Sequence, residues 1–244
     1  MLTQVLSQTI AGLVLLLAGA GAVSAGSFQV NPVRATLSPS QSVSAMTVSN
    51  TGTAPTVLQL EVSSWSQQDG KDIYTPSREI IATPPIFTIP AGGSQVVRVG
   101  LRRMPDAQRE LTYRLFLTEA PAAPKSDFQG MQMTLRIGVP VFVMPAVTPP
   151  TAVIWKLYRT HEGVLELGLT NNGSVHVQVA NFKLTNAEGK ELVKQELSAY
   201  ALPGQSLSWP VKGFPAPVSG VNLRVLAQTD KGNLDSGMIT IESK

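Results

Sequence analysis

The chain has 244 residues, of which 43% are hydrophobic and 14% charged. That charged share lies well below the ~25% of an average soluble protein, which excludes a disordered, charge-rich chain. Nineteen Lys and Arg against sixteen Asp and Glu leave a net charge of +3 with no basic run, which excludes a charge-driven nucleic-acid binder.

In chain order the first feature is Ile10–Ala20, IAGLVLLLAGA. It is too short to cross a ~30 Å bilayer and suits the apolar core of a signal peptide. Val23-Ser24-Ala25 supplies the small side chains of a cleavage site, so residues 1–25 read as a leader cut after Ala25. No Lys or Arg precedes Arg34, so either the signal lacks its basic n-region or the true start lies upstream. No later apolar stretch approaches the ~18 residues of a span, so stable membrane insertion of the mature chain is not expected. Cysteine is absent, which excludes disulfides, thiolate metal sites and cysteine nucleophiles.

From Phe28 onward, short runs of apolar, Thr and Ser residues alternate with Gly, Pro and Asn, an all-β signature. Strands are predicted over Phe28–Thr36, Ser44–Asn50, Thr56–Ser63, Ile86–Ile89, Gln95–Arg102, Thr112–Glu119 and Met131–Val143. Seven strands in some 120 residues suit an immunoglobulin-like sandwich. Ile86, Ile89 and Val96 are assigned to its core in preference to a partner-facing surface. Met144–Pro150, MPAVTPP, then reads as a stiff linker. A second series follows at Val164–Asn171, Val175–Thr185, Ser206–Pro210 and Val221–Gln228, with Asn171-Asn172-Gly173 read as a hairpin turn. The expected organisation is an N-terminal sandwich over 26–145, a linker over 146–150 and a C-terminal sandwich over 151–244.

Met131–Val143 carries apolar side chains at every odd position: Met131, Met133, Leu135, Ile137, Val139, Val141 and Val143. The plain reading is that this face fills its own core. The sharper reading is that part of it projects beyond that core and is offered to a partner as an added strand.

Several blocks resemble the periplasmic pilus chaperones of chaperone–usher secretion. They are Asn31-Pro32-Val33-Arg34, MTVSNTG at Met46–Gly52, IIATPPIFTIPAGGSQVVRV at Ile80–Val99, LTYRLFLTEAP at Leu111–Pro121 and VPVFVMP at Val139–Pro145. The resemblance covers most of the N-terminal half; the C-terminal half matches only in β character. It implies two immunoglobulin-like domains in a boomerang, located in the periplasm. Its implied partners are pilin-type subunits that lack a final strand, and an outer-membrane usher to which they are delivered. The donated row maps to Met131, Met133, Leu135 and Ile137, and methionine suits it because an unbranched thioether adapts to irregular pockets.

The family also implies that a first-strand Arg and a last-strand Lys hold the subunit's C-terminal carboxylate. Arg34 matches the Arg, whose fork can grip a carboxylate bidentately. Pro140 stands where the lysine belongs, with neither charge nor backbone N–H. That departure resembles the archaic branch associated with spore-coat-protein-U-like subunits. Arg136 and Arg98 remain candidates for the second charge.

No cofactor, metal site or catalytic residue is expected. The two histidines, His161 and His176, read as turn and strand residues, and no H-E-x-x-H, G-x-S-x-G, P-loop or G-x-G-x-x-G occurs. Two other classes stay open: an exported structural or adhesive subunit of a surface fibre, and a carbohydrate-binding sandwich using Trp65, Trp155 and Trp209. The scatter of those tryptophans favours core and interface roles.

Overall fold

The computed structural model describes residues 28–121, 133–147, 150–214 and 220–243. Every regular element among the described residues is a strand. The first ten are β1 (Phe28–Asn31), β2 (Ala35–Leu37), β3 (Val43–Asn50), β4 (Thr56–Gln68), β5 (Lys71–Pro76), β6 (Ile80–Thr83), β7 (Ile86–Ile89), β8 (Ser94–Leu101), β9 (Leu111–Glu119) and β10 (Arg136–Val143). One sheet has the order β1-β3-β8-β6; the other runs β2-β10-β9-β4-β5, with β7 also on β4. Alternation along each strand sends Met46, Val48, Val97 and Val99 from the first sheet against Leu58, Leu115, Leu117, Val139 and Val141 from the second.

The strand predicted over Phe28–Thr36 is two strands. Pro32 has no N–H to continue a ladder, and the chain turns through Pro32–Arg34 to join the opposite sheet. There β2 lies parallel to β10, with Val141 opposite Ala35 and Val143 opposite Leu37. β5 escaped prediction because all its residues are exposed, so it has no buried face to pattern it. The core assignment holds for Ile89, but Ile86 is 60% and Val96 41% exposed, because both stand on outward positions of their strands.

β10 begins at Arg136 instead of Met131, which lies outside the described residues. The ladder with β9 covers Arg136–Val143, and Leu135 extends it by accepting a hydrogen bond from the Glu119 N–H at 2.9 Å.

The second unit contains β11 (Val153–Arg159), β12 (Leu165–Asn171), β13 (Val177–Thr185), β14 (Glu191–Ala201), β15 (Ser206–Pro210), β16 (Asn222–Thr229) and β17 (Gly232–Ser243). Hydrogen bonding runs β14-β13-β16-β17-β11-β12-β15. β17 joins the two halves: it pairs antiparallel with β16 up to Thr240 and parallel with β11 from Ile241. Gly237, at φ +65°, sits at the register shift that bends it. The halves close on Leu157, Leu167, Val177, Phe182, Leu184 and Val225. The fold is thus all-β with two immunoglobulin-like units, each with its own core.

Asn171-Asn172-Gly173 is not a hairpin, since β12 pairs with β11 and β15 whereas β13 pairs with β14 and β16. Asn171 is fully buried and ties the crossing together. Its amide donates to the carbonyls of Val175 (2.8 Å) and Ala201 (2.9 Å), and its Oδ1 accepts from the Gly173 N–H at 2.9 Å. Asn50 repeats the device in the first unit, donating to Ala54 and Ile89 and accepting from the Gly52 N–H. Asn171→Ala leaves two buried carbonyls without their donor, and urea unfolding is expected to show a loss of about 1–3 kcal/mol. An unchanged midpoint would remove this crossing from the account.

Candidate functional site

Outward positions of the β2-β10-β9-β4-β5 sheet form the floor of a cleft against the second unit. On β10 the outward residues are Arg136, Gly138, Pro140 and Phe142; on β9, opposite them, are Thr118, Phe116, Arg114 and Thr112. Trp65 and Tyr74 continue the row as a cross-strand pair of β4 and β5. Pro140 and Phe142 are buried although they point outward, and Phe142 is covered by His176, Tyr200 and Leu202 of the second unit. Phe142, Trp65 and Leu202 form a small apolar cluster with Tyr200 beside it. Gln67 adds polar ties by donating to the Tyr200 carbonyl at 2.7 Å and accepting from the Leu202 N–H at 3.1 Å.

His176 occupies the centre of this contact and is 4% exposed at its side chain, so the reading of it as a plain strand histidine is corrected. Its ring stacks on Phe142 with centroids 3.6 Å apart and planes 12° from parallel. Nδ1 faces Glu110 at 2.8 Å, and Nε2 faces Asp230 at 3.1 Å. The His176 backbone N–H also donates to Glu110, at 2.8 Å. Glu110 precedes β9 in the first unit, and Asp230 lies in the β16–β17 turn of the second. Burial opposes charge on the imidazole, but hydrogen bonds to Asp230 and Glu110 outweigh it and raise its pKa above the ordinary value. Burial likewise works to raise the Asp230 carboxyl, yet the hydrogen bonds from His176 and the Gln178 N–H hold it far below the usual carboxylate range. Sequence spacing gave no signal of this triad, whose members are 54 and 66 residues apart.

Arg34 reaches this centre. It is half-buried, and its Nη1 lies 3.2 Å from Asp230 Oδ2. The other two candidate cations differ. Arg136 pairs with Glu61 at 3.2 Å and lies 4.1 Å over the Phe116 ring, whereas Arg98 stands on the outward face of β8, in the sheet away from the cleft.

A cation that sequence reasoning missed sits beside Pro140. Arg114 is the direct cross-strand partner of Pro140, so both side chains share one face. Its guanidinium carbon lies over the Trp65 ring, 3.9 Å from the ring centre, and 5.7 Å from that of Tyr74. It has no ion-pair partner among the described residues; its Nη2 donates a long 3.4 Å bond to the Tyr74 hydroxyl, and its buried Nε has none. Arg34 and Arg114 both act on the Tyr200 hydroxyl: burial raises its pKa, and the two positive charges oppose that rise. Both guanidinium charges are therefore felt at Tyr200. Only alignment of Pro140 with its neighbouring strand reveals the second, and the sequence carries no register.

The alternating row on β10 splits along its length. Val143, Val141 and Val139 are buried in the first core, and Ile137 packs half-buried at its rim. Beyond it Leu135 is 37% and Met133 72% exposed. On the side away from β9, β10 is paired with β2 only over Val141–Val143, so among the described residues the backbone edge of 136–140 has no strand partner.

These features meet a known family. Residues 27–149, just over half of the chain, match the model for the pili and flagellar-assembly chaperones, PapD N-terminal domain. The chain belongs to that family, and its role is that of a chaperone in pilus assembly. Its fold is similar to a chain of the CsuC–CsuE chaperone–tip adhesion subunit pre-assembly complex from the archaic chaperone–usher Csu pili of Acinetobacter baumannii. There the TM-score is 0.62 at 21% identity, covering 89% of this chain and 99% of that one. It is also similar to the E. coli chaperone DraB, with TM-score 0.57 and 22% identity over 90% and 97% of the two chains. The Salmonella enterica complex of SafA pilin with the SafB chaperone gives 0.61 and 16% over 90% and 97%. No curated protein sequence matches the chain. Among the described residues no helix is long and apolar enough to cross a membrane.

Phe142→Ala removes the ring that stacks on His176 and fills the space beside Trp65. Chemical unfolding is expected to show a loss of about 3–5 kcal/mol, the usual cost of emptying a buried phenylalanine site. A loss below about 1 kcal/mol would mean that the units do not depend on this contact.

Proposed function

We propose that this chain holds pilin-type subunits in the periplasm by adding the open edge of β10, and its extension toward Met131, to a subunit lacking a final strand. The exchange of that strand at an outer-membrane usher then releases the subunit into the pilus. One observation carries this reading: the apolar row passes out of its own core at Ile137 and continues, exposed, through Leu135 and Met133. An unpaired edge supplies backbone hydrogen bonds and the alternating row supplies side chains for successive pockets. Met131, outside the described residues, would add the fourth.

The subunit's C-terminal carboxylate would enter the cleft between Arg34 and Arg114. Arg34 already shares its charge with Asp230, whereas Arg114 is held by aromatic faces and has no ion-pair partner among the described residues. A guanidinium stacked on Trp65 keeps its edge open to accept a carboxylate, so Arg114 supplies the second charge that Pro140 cannot. Synthesis with a leader cleaved after Ala25 would deliver the chain to the periplasm.

Co-expression in a periplasm with the secreted proteins encoded beside it, followed by affinity purification, tests both parts. The chain is expected to recover a small β-rich subunit in a one-to-one complex, and Met133→Arg to lose it. Arg114→Ala is expected to reduce recovery further than Arg34→Ala. Equal recovery with Arg114→Ala would discard the two-arginine anchor while leaving strand addition intact. Recovery of homopolymers in place of a subunit complex would favour a fibre subunit over a chaperone.

A further inference from the structure

The contact between the two units turns on one ring with an acid at each end. An imidazole donates from both nitrogens at once only when protonated. Here Nδ1 faces Glu110 of the first unit and Nε2 faces Asp230 of the second, while Phe142 covers the ring. A neutral ring donates to one of them and turns a lone pair toward the other. Glu110 is fully buried, with the His176 backbone N–H as its other donor. Asp230 keeps Arg34 at 3.2 Å, Lys231 at 3.3 Å and the Gln178 N–H. From the remaining element packed there, Tyr200 of β14 brings its ring to 5.7 Å.

We propose that His176 is a proton-operated latch between the two units: charged, it fastens Glu110 to Asp230 and fixes the cleft; neutral, it releases one of them. Glu110 bears the greater loss, because Arg34 and Lys231 remain on Asp230 and no cation replaces the imidazolium at Glu110 among the described residues. The cleft that orients Arg34, Arg114 and the β10 edge is therefore set most firmly under mildly acidic conditions and loosens as the surroundings become alkaline. The sense follows from linkage. A histidine whose folded pKa is raised gives its full stabilisation below the unfolded value near ~6.5, and that stabilisation disappears as pH rises through the folded value.

The chain offers a clean test because it has two histidines and no cysteine. In proton NMR of the wild-type protein, one histidine ring signal is expected to titrate above ~6.5 and to vanish in His176→Gln. The thermal midpoint of the wild type is expected to fall between pH ~6 and ~9, while that of His176→Gln stays level. Spin labels at Thr53→Cys and Glu188→Cys, one exposed position in each unit, are expected to give a narrow distance distribution at the lower pH and a broader one at the higher. A His176 ring that titrates at or below ~6.5 overturns the proposal, as does a His176→Gln protein with the wild-type decline, or a label distance unmoved by pH.

Discussion

The structure depends on the unequal pairing of β10. One side is hydrogen-bonded to β9 along the whole of Arg136–Val143, and the other, among the described residues, to β2 over Val141–Val143 alone. Its C-terminal half is therefore a central strand buried in the first core, and its N-terminal half an edge. The inward row obeys the same division, since Val139, Val141 and Val143 are sealed while Leu135 and Met133 stand in solvent. A protein that kept an edge of this kind without use would carry an aggregation hazard. In the function proposed for this chain the same edge would be the means of holding a subunit.

The outward side of β10 has an equally specific part. Phe142 is wedged between Trp65 and His176 and joins the units, while Pro140, which has neither an N–H nor a charge, stands opposite Arg114, to which the proposed anchor gives the cationic role. Arg114 does not need an acid to stay in place, because the faces of Trp65 and Tyr74 hold it. An arginine fixed by stacking keeps more of its hydrogen-bonding capacity for an incoming group than one already locked in an ion pair. Arg34 is tied to Asp230 at the joint, and the proposed anchor would use it in the cleft as well.

Much of this was legible from residue order. Alternation over Met131–Val143, the turn residues and the MPAVTPP segment gave two β units, and the pilus-chaperone blocks pointed to the family. What stayed hidden has a physical cause in each case. β5 is exposed on both faces and so has no period to read. The first strand changed sheets at Pro32, which a run of β-formers does not announce. His176 and Arg114 gain their roles from partners distant in the chain, Glu110 and Asp230 for one and Trp65 for the other. Asn171 looked like a hairpin residue because the same polar side chain that favours tight turns also satisfies buried carbonyls.

Hydrogen–deuterium exchange of the backbone amides over residues 133–139, with and without the co-purified subunit, tests strand addition most directly. If β10 is lent to the subunit, amides on its open edge exchange rapidly in the free chaperone and become protected in the complex, while those in the β9 ladder change little. A complex that leaves residues 133–139 exchanging as in the free protein, with protection elsewhere, would contradict the account.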